Sequence, residues 1–157
     1  MFRTGVLPAL CFALALAAAT GSAAAQETDD FGLGLILGDP TGVSGKYMLS
    51  PDMAVDGAIG FGIIGGDHLH IHSDLLWQFD ILHGPAGSLD IYLGVGPTLA
   101  INRGKTDLML GARGPVGISF LFRRVPLDIF LELALGLFIV EEVDLDLDAA
   151  IGIRYWF

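Results

Sequence analysis

The chain has 157 residues, with 18 acidic against 8 basic side chains, a net charge of −10 and a single cysteine. So acidic a balance argues against a nucleic-acid partner, and Cys11 alone cannot form an internal disulfide. Mean hydropathy is +0.64, yet beyond residue 25 the longest uncharged run, 91–102, is shorter than the roughly 18 residues that a membrane-spanning helix requires. Closed β-strands are the other structure that satisfies its own backbone in hydrocarbon.

In chain order, the first segment carries Arg3, an apolar run over 7–19, and small residues ending in Ala23-Ala24-Ala25 before Gln26. These are the parts of a secretory signal and its cleavage site. Cys11 follows the bulky Leu10 and precedes more apolar sequence, so it belongs to the removed segment and not to a lipid-attachment site. The expected organisation is a leader over 1–25 and one domain over 26–157.

After a short acidic lead, eight segments alternate with period two, at 31–38, 43–49, 53–63, 68–81, 89–101, 107–122, 127–139 and 144–157. A strand has this period because successive side chains leave opposite faces. Turn-forming clusters separate the segments: Asp39-Pro40-Thr41-Gly42, Ser50-Pro51-Asp52, Gly65-Gly66-Asp67, 83–88, 102–106, 123–126 and 141–143. In the fourth segment Leu69, Ile71, Leu75, Trp77, Phe79 and Ile81 share one face, interrupted by Ser73, and His68, His70, His72, Asp74, Leu76, Gln78 and Asp80 share the other. The seventh sets Leu127, Ile129, Leu131, Leu133, Leu135, Leu137 and Ile139 against Asp128, Phe130, Glu132, Ala134, Gly136 and Phe138.

A soluble barrel would turn the apolar face inward and coat its exterior with long charged residues, and basic residues are too few here for that. The polar face is mostly Gly, Ala, Asp, Ser and His, which suits a crowded interior. There Gly32, Gly34, Gly60, Gly62, Gly94 and Gly96 leave room for Tyr92, Phe130 and Trp156. The apolar face is therefore expected outward, in lipid. With a periplasmic N-terminus, Tyr47, Trp77, Phe79, Phe120, Phe122, Tyr155 and Phe157 gather at the lower rim as an interfacial aromatic girdle. Pro97 and Pro115 fall inside segments, and a closed barrel has no edge strand to hide a missing donor. A bulge or a strand top is expected at each.

The last segment, LDLDAAIGIRYWF, ends on an aromatic and resembles the closing strand of bacterial outer-membrane β-barrels. The stretches GLILGDPTGVSGKYMLS (34–50), HLHIHSDLLWQF (68–79), GPVGISFLF (114–122), VPLDIFLELALGL (125–137) and DLDAAIGIRYWF (146–157) are similar to a family of small OmpA-type outer-membrane barrels of largely unassigned function. The resemblance implies an all-β, eight-stranded antiparallel up-and-down transmembrane barrel in a Gram-negative outer membrane. It also implies contact with outer-membrane lipid and recognition of the C-terminal strand by the barrel assembly machinery, and it brings no catalytic residues and no cofactor.

Three constellations carry chemistry. His70, His72 and Asp74 lie two apart on one strand face, and imidazoles so spaced can share a metal ion; the competing reading is a hydrogen-bonded lumen network with His68 out in the loop. Ser73 lies between His72 and Asp74, but adjacent strand residues face opposite ways, and a nucleophile needs its base at roughly 3 Å. Lys46, Asp56, Asp74, Arg113, Glu132 and Arg154 are inward charges that must pair in a narrow lumen. The acidic residues at 141–148 can attract divalent cations or be solvated near a turn. The expected function is a non-enzymatic structural or cell-surface interaction role with a filled, non-conducting lumen. The competitors are a narrow ion channel, a lipid-modifying enzyme and a soluble periplasmic ligand-binding barrel. The surface ligand is not legible.

Overall fold

The structure, a computed structural model, describes residues 30–62, 68–102, 108–139 and 143–157. The leader reading of 1–25, the turn at Gly65-Gly66-Asp67, most of the turn at 102–106 and the acidic pair Glu141-Glu142 lie outside the described residues. Within them, eight strands follow in chain order: β1 (Phe31–Gly38), β2 (Thr41–Ser50), β3 (Met53–Phe61), β4 (His68–His83), β5 (Gly87–Asn102), β6 (Leu108–Phe122), β7 (Leu127–Ile139) and β8 (Val143–Trp156). Each pairs antiparallel with the next, and β1 pairs with β8 to close the sheet into a barrel. The strand ends fall within two residues of those read from the alternation, because the Gly, Pro and Asp clusters that break the period also break the ladder.

The two faces are sorted as the period demands. Along β7, every even-numbered residue from Asp128 to Phe138 is buried. The leucines between them point outward, Leu133 at 50% and Leu135 at 57% exposure. The same outward apolar row recurs as Leu35 and Leu37 on β1, Ile59 on β3, Val95 on β5, Leu110 and Val116 on β6, and Leu147 and Ile151 on β8. The closed ladder leaves no edge strand.

The interior is packed by large side chains set directly across the ladder from glycines. Tyr92 pairs with Gly117, Phe130 with Gly152, Leu76 with Gly94 and Trp156 with Gly32. A Cβ on Gly117 would sit 2.3 Å from Tyr92 Cζ, and one on Gly152 would sit 2.3 Å from Phe130 Cζ. An eight-stranded barrel is only wide enough for its own side chains, so each ring is accommodated by the strand beside it. Of the glycines expected to make this room, Gly32 and Gly94 do so; Gly117 and Gly152 had no place in that expectation, because their role depends on register.

Pro97 and Pro115 correct the sequence reading. Neither bulges and neither stands at a strand top. Pro97 lies opposite Ala112, and Pro115 lies opposite Ala134. Pairing lapses beside each, between β5 and β6 from Leu93↔Val116 to Gly96↔Arg113 at Pro115 and between β4 and β5 from His72↔Thr98 to Leu75↔Val95 at Pro97, and keeps the same register across both gaps. A short lapse absorbs the missing donor without an extra residue, and Arg113 keeps its inward parity. The irregularities fall instead beside the turns, at Met48/Ser50 and Asp80/Leu82.

The packing predicts the effect of filling one of these spaces. Gly152→Ala should destabilise the barrel by about 1–3 kcal/mol, the usual range for overpacking, read as a lower urea midpoint for loss of the heat-modifiable gel band. Phe130→Leu in the same chain should restore part of it; no shift for Gly152→Ala would count against the packing.

Candidate functional site

The charged interior is built around three buried cations, one each on β2, β6 and β8. Arg113 is the best connected. Its Nε lies 3.2 Å from Asp74 Oδ2 on β4, one Nη donates to Glu132 Oε1 on β7, and the other reaches His72 Nδ1 at 2.7 Å. A guanidinium only donates, so His72 receives it on Nδ1 and keeps its proton on Nε2, which faces Asp74 at 3.9 Å. The second oxygen of Glu132 accepts from the Tyr92 hydroxyl at 2.9 Å. One guanidinium thus ties four strands together.

Arg154 is fully buried and organises the level nearer the start of β1 and the end of β8. Its Nε lies 3.3 Å from Asp128 Oδ1, its Nη1 3.6 Å from Asp56 Oδ2, and its guanidinium carbon 4.0 Å from the Phe130 ring centre. Asp128 and Arg154 are direct ladder partners. Lys46 donates to Gln78 Oε1 and lies 5.3 Å from the Tyr92 ring centre, directly across the ladder from Asp56. Burying such ions is costly unless each is paired; the web gives each cation an ionic or hydrogen-bonding partner, while Arg154 Nη1 and Nη2 make no hydrogen bond.

All six residues expected in the lumen network therefore point inward and are buried. Sequence reasoning left out Asp128, Tyr92 and Gln78, each needed by one of the three cations. Their signal was present, since all three share the inward parity of a recognised strand. Among the described residues, buried carboxylates outnumber buried Lys and Arg: Asp39, Asp56, Asp74, Asp128, Glu132 and Asp148 against Lys46, Arg113 and Arg154.

The three expected metal ligands do not converge on one point. His70 and His72 are edge-to-face neighbours with ring centres 5.4 Å apart, but they belong to different groups. His72 joins Asp74 and Glu132, whereas His70 joins His68 and Asp39. Arg113 already contacts every member of the first group. Ser73 faces outward, away from the ring of His72, and donates its hydroxyl to the Asp56 carbonyl at 3.2 Å. A Ser73–His72 pair is thereby ruled out by geometry.

At the other end, by the start of β1 and the end of β8, a cavity of about 390 Å³ opens among Lys46, Gln78, Asp90, Arg124 and Trp156. The aromatics expected at this rim stand on the outward face: Tyr47, Phe79, Tyr155 and Phe157 are exposed and Trp77, Phe120 and Phe122 are half-buried. Phe120 meets Phe122 edge-on at 5.0 Å, and Tyr155 meets Phe157 at 4.9 Å. Phe31, absent from the sequence reading, stacks on Phe157 at 6.3 Å and joins the first strand to the end of the last.

Neither a family model nor a curated protein sequence matches the chain. Among solved structures, the N-terminal β-barrel domain of Pseudomonas aeruginosa OprF is similar at a TM-score of 0.64 and 17% identity, over 84% of this chain and 100% of that one. The fold is that of an OmpA-type eight-stranded barrel. Ail, the attachment invasion locus protein of Yersinia pestis, is also similar, at a TM-score of 0.38 and 16% identity over 81% of this chain and 93% of that one. At such identities the likeness of this barrel to OprF concerns architecture, and the lumen must be understood from its own residues.

The ion web can be tested by unequal deletions. Arg113→Leu strands Asp74 and Glu132 in a buried site and should cost about 3–5 kcal/mol, whereas Arg113→Leu with Glu132→Leu should cost less than the single change. Urea unfolding of the detergent-refolded barrel measures both; a double variant as unstable as the sum of the two singles would dissolve the pairing.

Proposed function

We propose that this chain is an integral outer-membrane β-barrel with a filled, non-conducting lumen and a structural or cell-surface interaction role. The observation that carries the reading is the outward belt of Leu, Ile, Val and Phe around the eight strands, interrupted at Gly45, Gly57 and Ser73, of which Leu37, Leu133 and Leu147 are at least half exposed. Soluble monomers rarely present contiguous apolar patches beyond a few hundred Å², and a belt closed around the molecule exceeds that. Hydrocarbon is the solvent in which such a surface is stable, and a barrel is one of two structures that cross it with every backbone group satisfied. The aromatic cluster at Phe31, Tyr155 and Phe157 sits where a headgroup boundary would hold it.

The same reading assigns outer-membrane lipid as the principal partner and the barrel assembly machinery, acting on β8, as the route of insertion. A filled lumen is supported by Arg113 and Arg154 spanning the interior and by Tyr92 and Phe130 occupying it beside glycines. A non-enzymatic role is favoured because Ser73 and His72 point to opposite faces. Metal binding by His70, His72 and Asp74 together is not proposed, since these residues sit in two separate groups.

The decisive measurement substitutes the centre of the outward belt. Leu133→Arg should reduce folding stability in bilayers by about 2–4 kcal/mol if that position faces the hydrocarbon midplane, and by almost nothing if it faces water. Tolerance of arginine there, with the protein remaining in the aqueous phase without detergent, would return the reading to a soluble barrel. Planar-bilayer recordings should show no discrete steps; reproducible cation-selective steps would replace the filled lumen with a narrow channel.

A further inference from the structure

We propose that the barrel mouth opposite the start of β1 and the end of β8 binds one divalent transition-metal ion of the zinc class through Asp39, His68 and His70. The site joins elements that the ladder keeps apart, because β2 and β3 lie between β1 and β4. Asp39 directly follows β1, and the two histidines open β4. Each residue offers a ligand atom within 4.8 Å of the other two. His68 Nε2 is 3.8 Å and His70 Nδ1 is 3.9 Å from the same oxygen, Asp39 Oδ1. These separations are too long for hydrogen bonds. Donors held about 2.1 Å from a tetrahedral ion lie about 3.4 Å from one another, so each histidine need approach Asp39 Oδ1 by only about half an ångström, while the two imidazole donors, within 4.8 Å of each other, draw together around the ion.

Two further observations point to a ligand. His70 is 1% exposed, its Nε2 is 2.7 Å from the Thr98 hydroxyl, and its Nδ1 has no hydrogen-bond partner. A buried polar atom so placed calls for an explanation. An imidazole fixed through one nitrogen by a neighbouring oxygen is oriented to ligate through the other. Beside the cluster, a Cβ on Gly62 would lie 2.2 Å from His68 Cε1, 2.4 Å from His68 Nε2 and 2.9 Å from Asp39 Oδ1. The glycine keeps open the space in which the three donors meet.

Two imidazoles and one carboxylate suit zinc, cobalt, nickel or copper better than calcium or magnesium, which prefer oxygen-only shells. The deeper group of His72, Asp74 and Glu132 is a weaker host, because the Arg113 guanidinium already lies among its donors. Three protein ligands leave a further coordination position for water or an incoming donor at the mouth, where the His68 side chain is 15% exposed. The ion would strap the β1–β2 turn to β4 across the opening.

The test uses untagged protein refolded in detergent, with Zn²⁺ titrated against a chromophoric chelator and Co²⁺ added separately as a spectroscopic probe. One equivalent of Zn²⁺ should bind, with a tetrahedral Co²⁺ visible band and a rise in the urea midpoint on adding zinc. His68→Gln and His70→Gln should each weaken binding by about 100-fold or more, and Asp39→Asn and Thr98→Val by about 10-fold or more. His72→Gln and His83→Gln should leave it unchanged. Every variant is first checked for heat-modifiable mobility; should His70→Gln fail to fold, the rim variants His68→Gln and Asp39→Asn decide alone. Absence of saturable binding, undiminished affinity in those rim variants, or loss of binding in His72→Gln or His83→Gln would overturn the proposal.

Discussion

The width of the closed sheet governs everything inside it. Eight strands enclose a space about one layer of side chains across, so no inward residue can be placed without regard to its neighbour on the next strand. Tyr92, Phe130 and Trp156 fit because Gly117, Gly152 and Gly32 stand directly opposite. Arg113 and Arg154 fit because carboxylates reach them from strands on either side. Size and charge are thus matched pair by pair across the ladder.

The same constraint accounts for the inversion of the usual soluble pattern. A lumen this narrow cannot hold the leucine side of eight strands together with the ring systems that already fill it, and the charged side finds partners only where its members meet. Leucine and isoleucine are therefore left to the outside, where a hydrocarbon solvent stabilises them. The buried ion web is weak evidence for net stability, since desolvation offsets much of its Coulombic gain. Its stronger effect is on register. A one-residue slip of β6 would turn Arg113 outward, and one of β7 would bring Leu133 or Leu137 into the charged interior.

Strand number, strand limits and the sense of each face could be read from the chain, because period two and the Gly, Pro and Asp clusters are local signals. What could not be read depends on which residue lies across from which. Gly117 and Gly152 acquire a role only through their partners on β5 and β7. Pro97 and Pro115 looked like bulges because a missing donor is visible in sequence, while a brief lapse in pairing is not. At the candidate site, His68 and His70 stood out by their spacing, but Asp39 read as a turn residue. Only closure brings the end of β1 within 4 Å of β4, and the pull of Arg113 on His72 divides a row of histidines that looks uniform in sequence.

The pairing of β1 with β8 has a kinetic side. The first strand finds its last neighbour only in the final one, so the longest loop in the molecule must close before either has a complete set of backbone partners. A polypeptide arrested before β8 forms would carry two unsatisfied margins at once, and each is a template for joining another chain edge to edge. The seam between Leu33 and Tyr155 is where an unfinished copy of this protein is most exposed to mispairing.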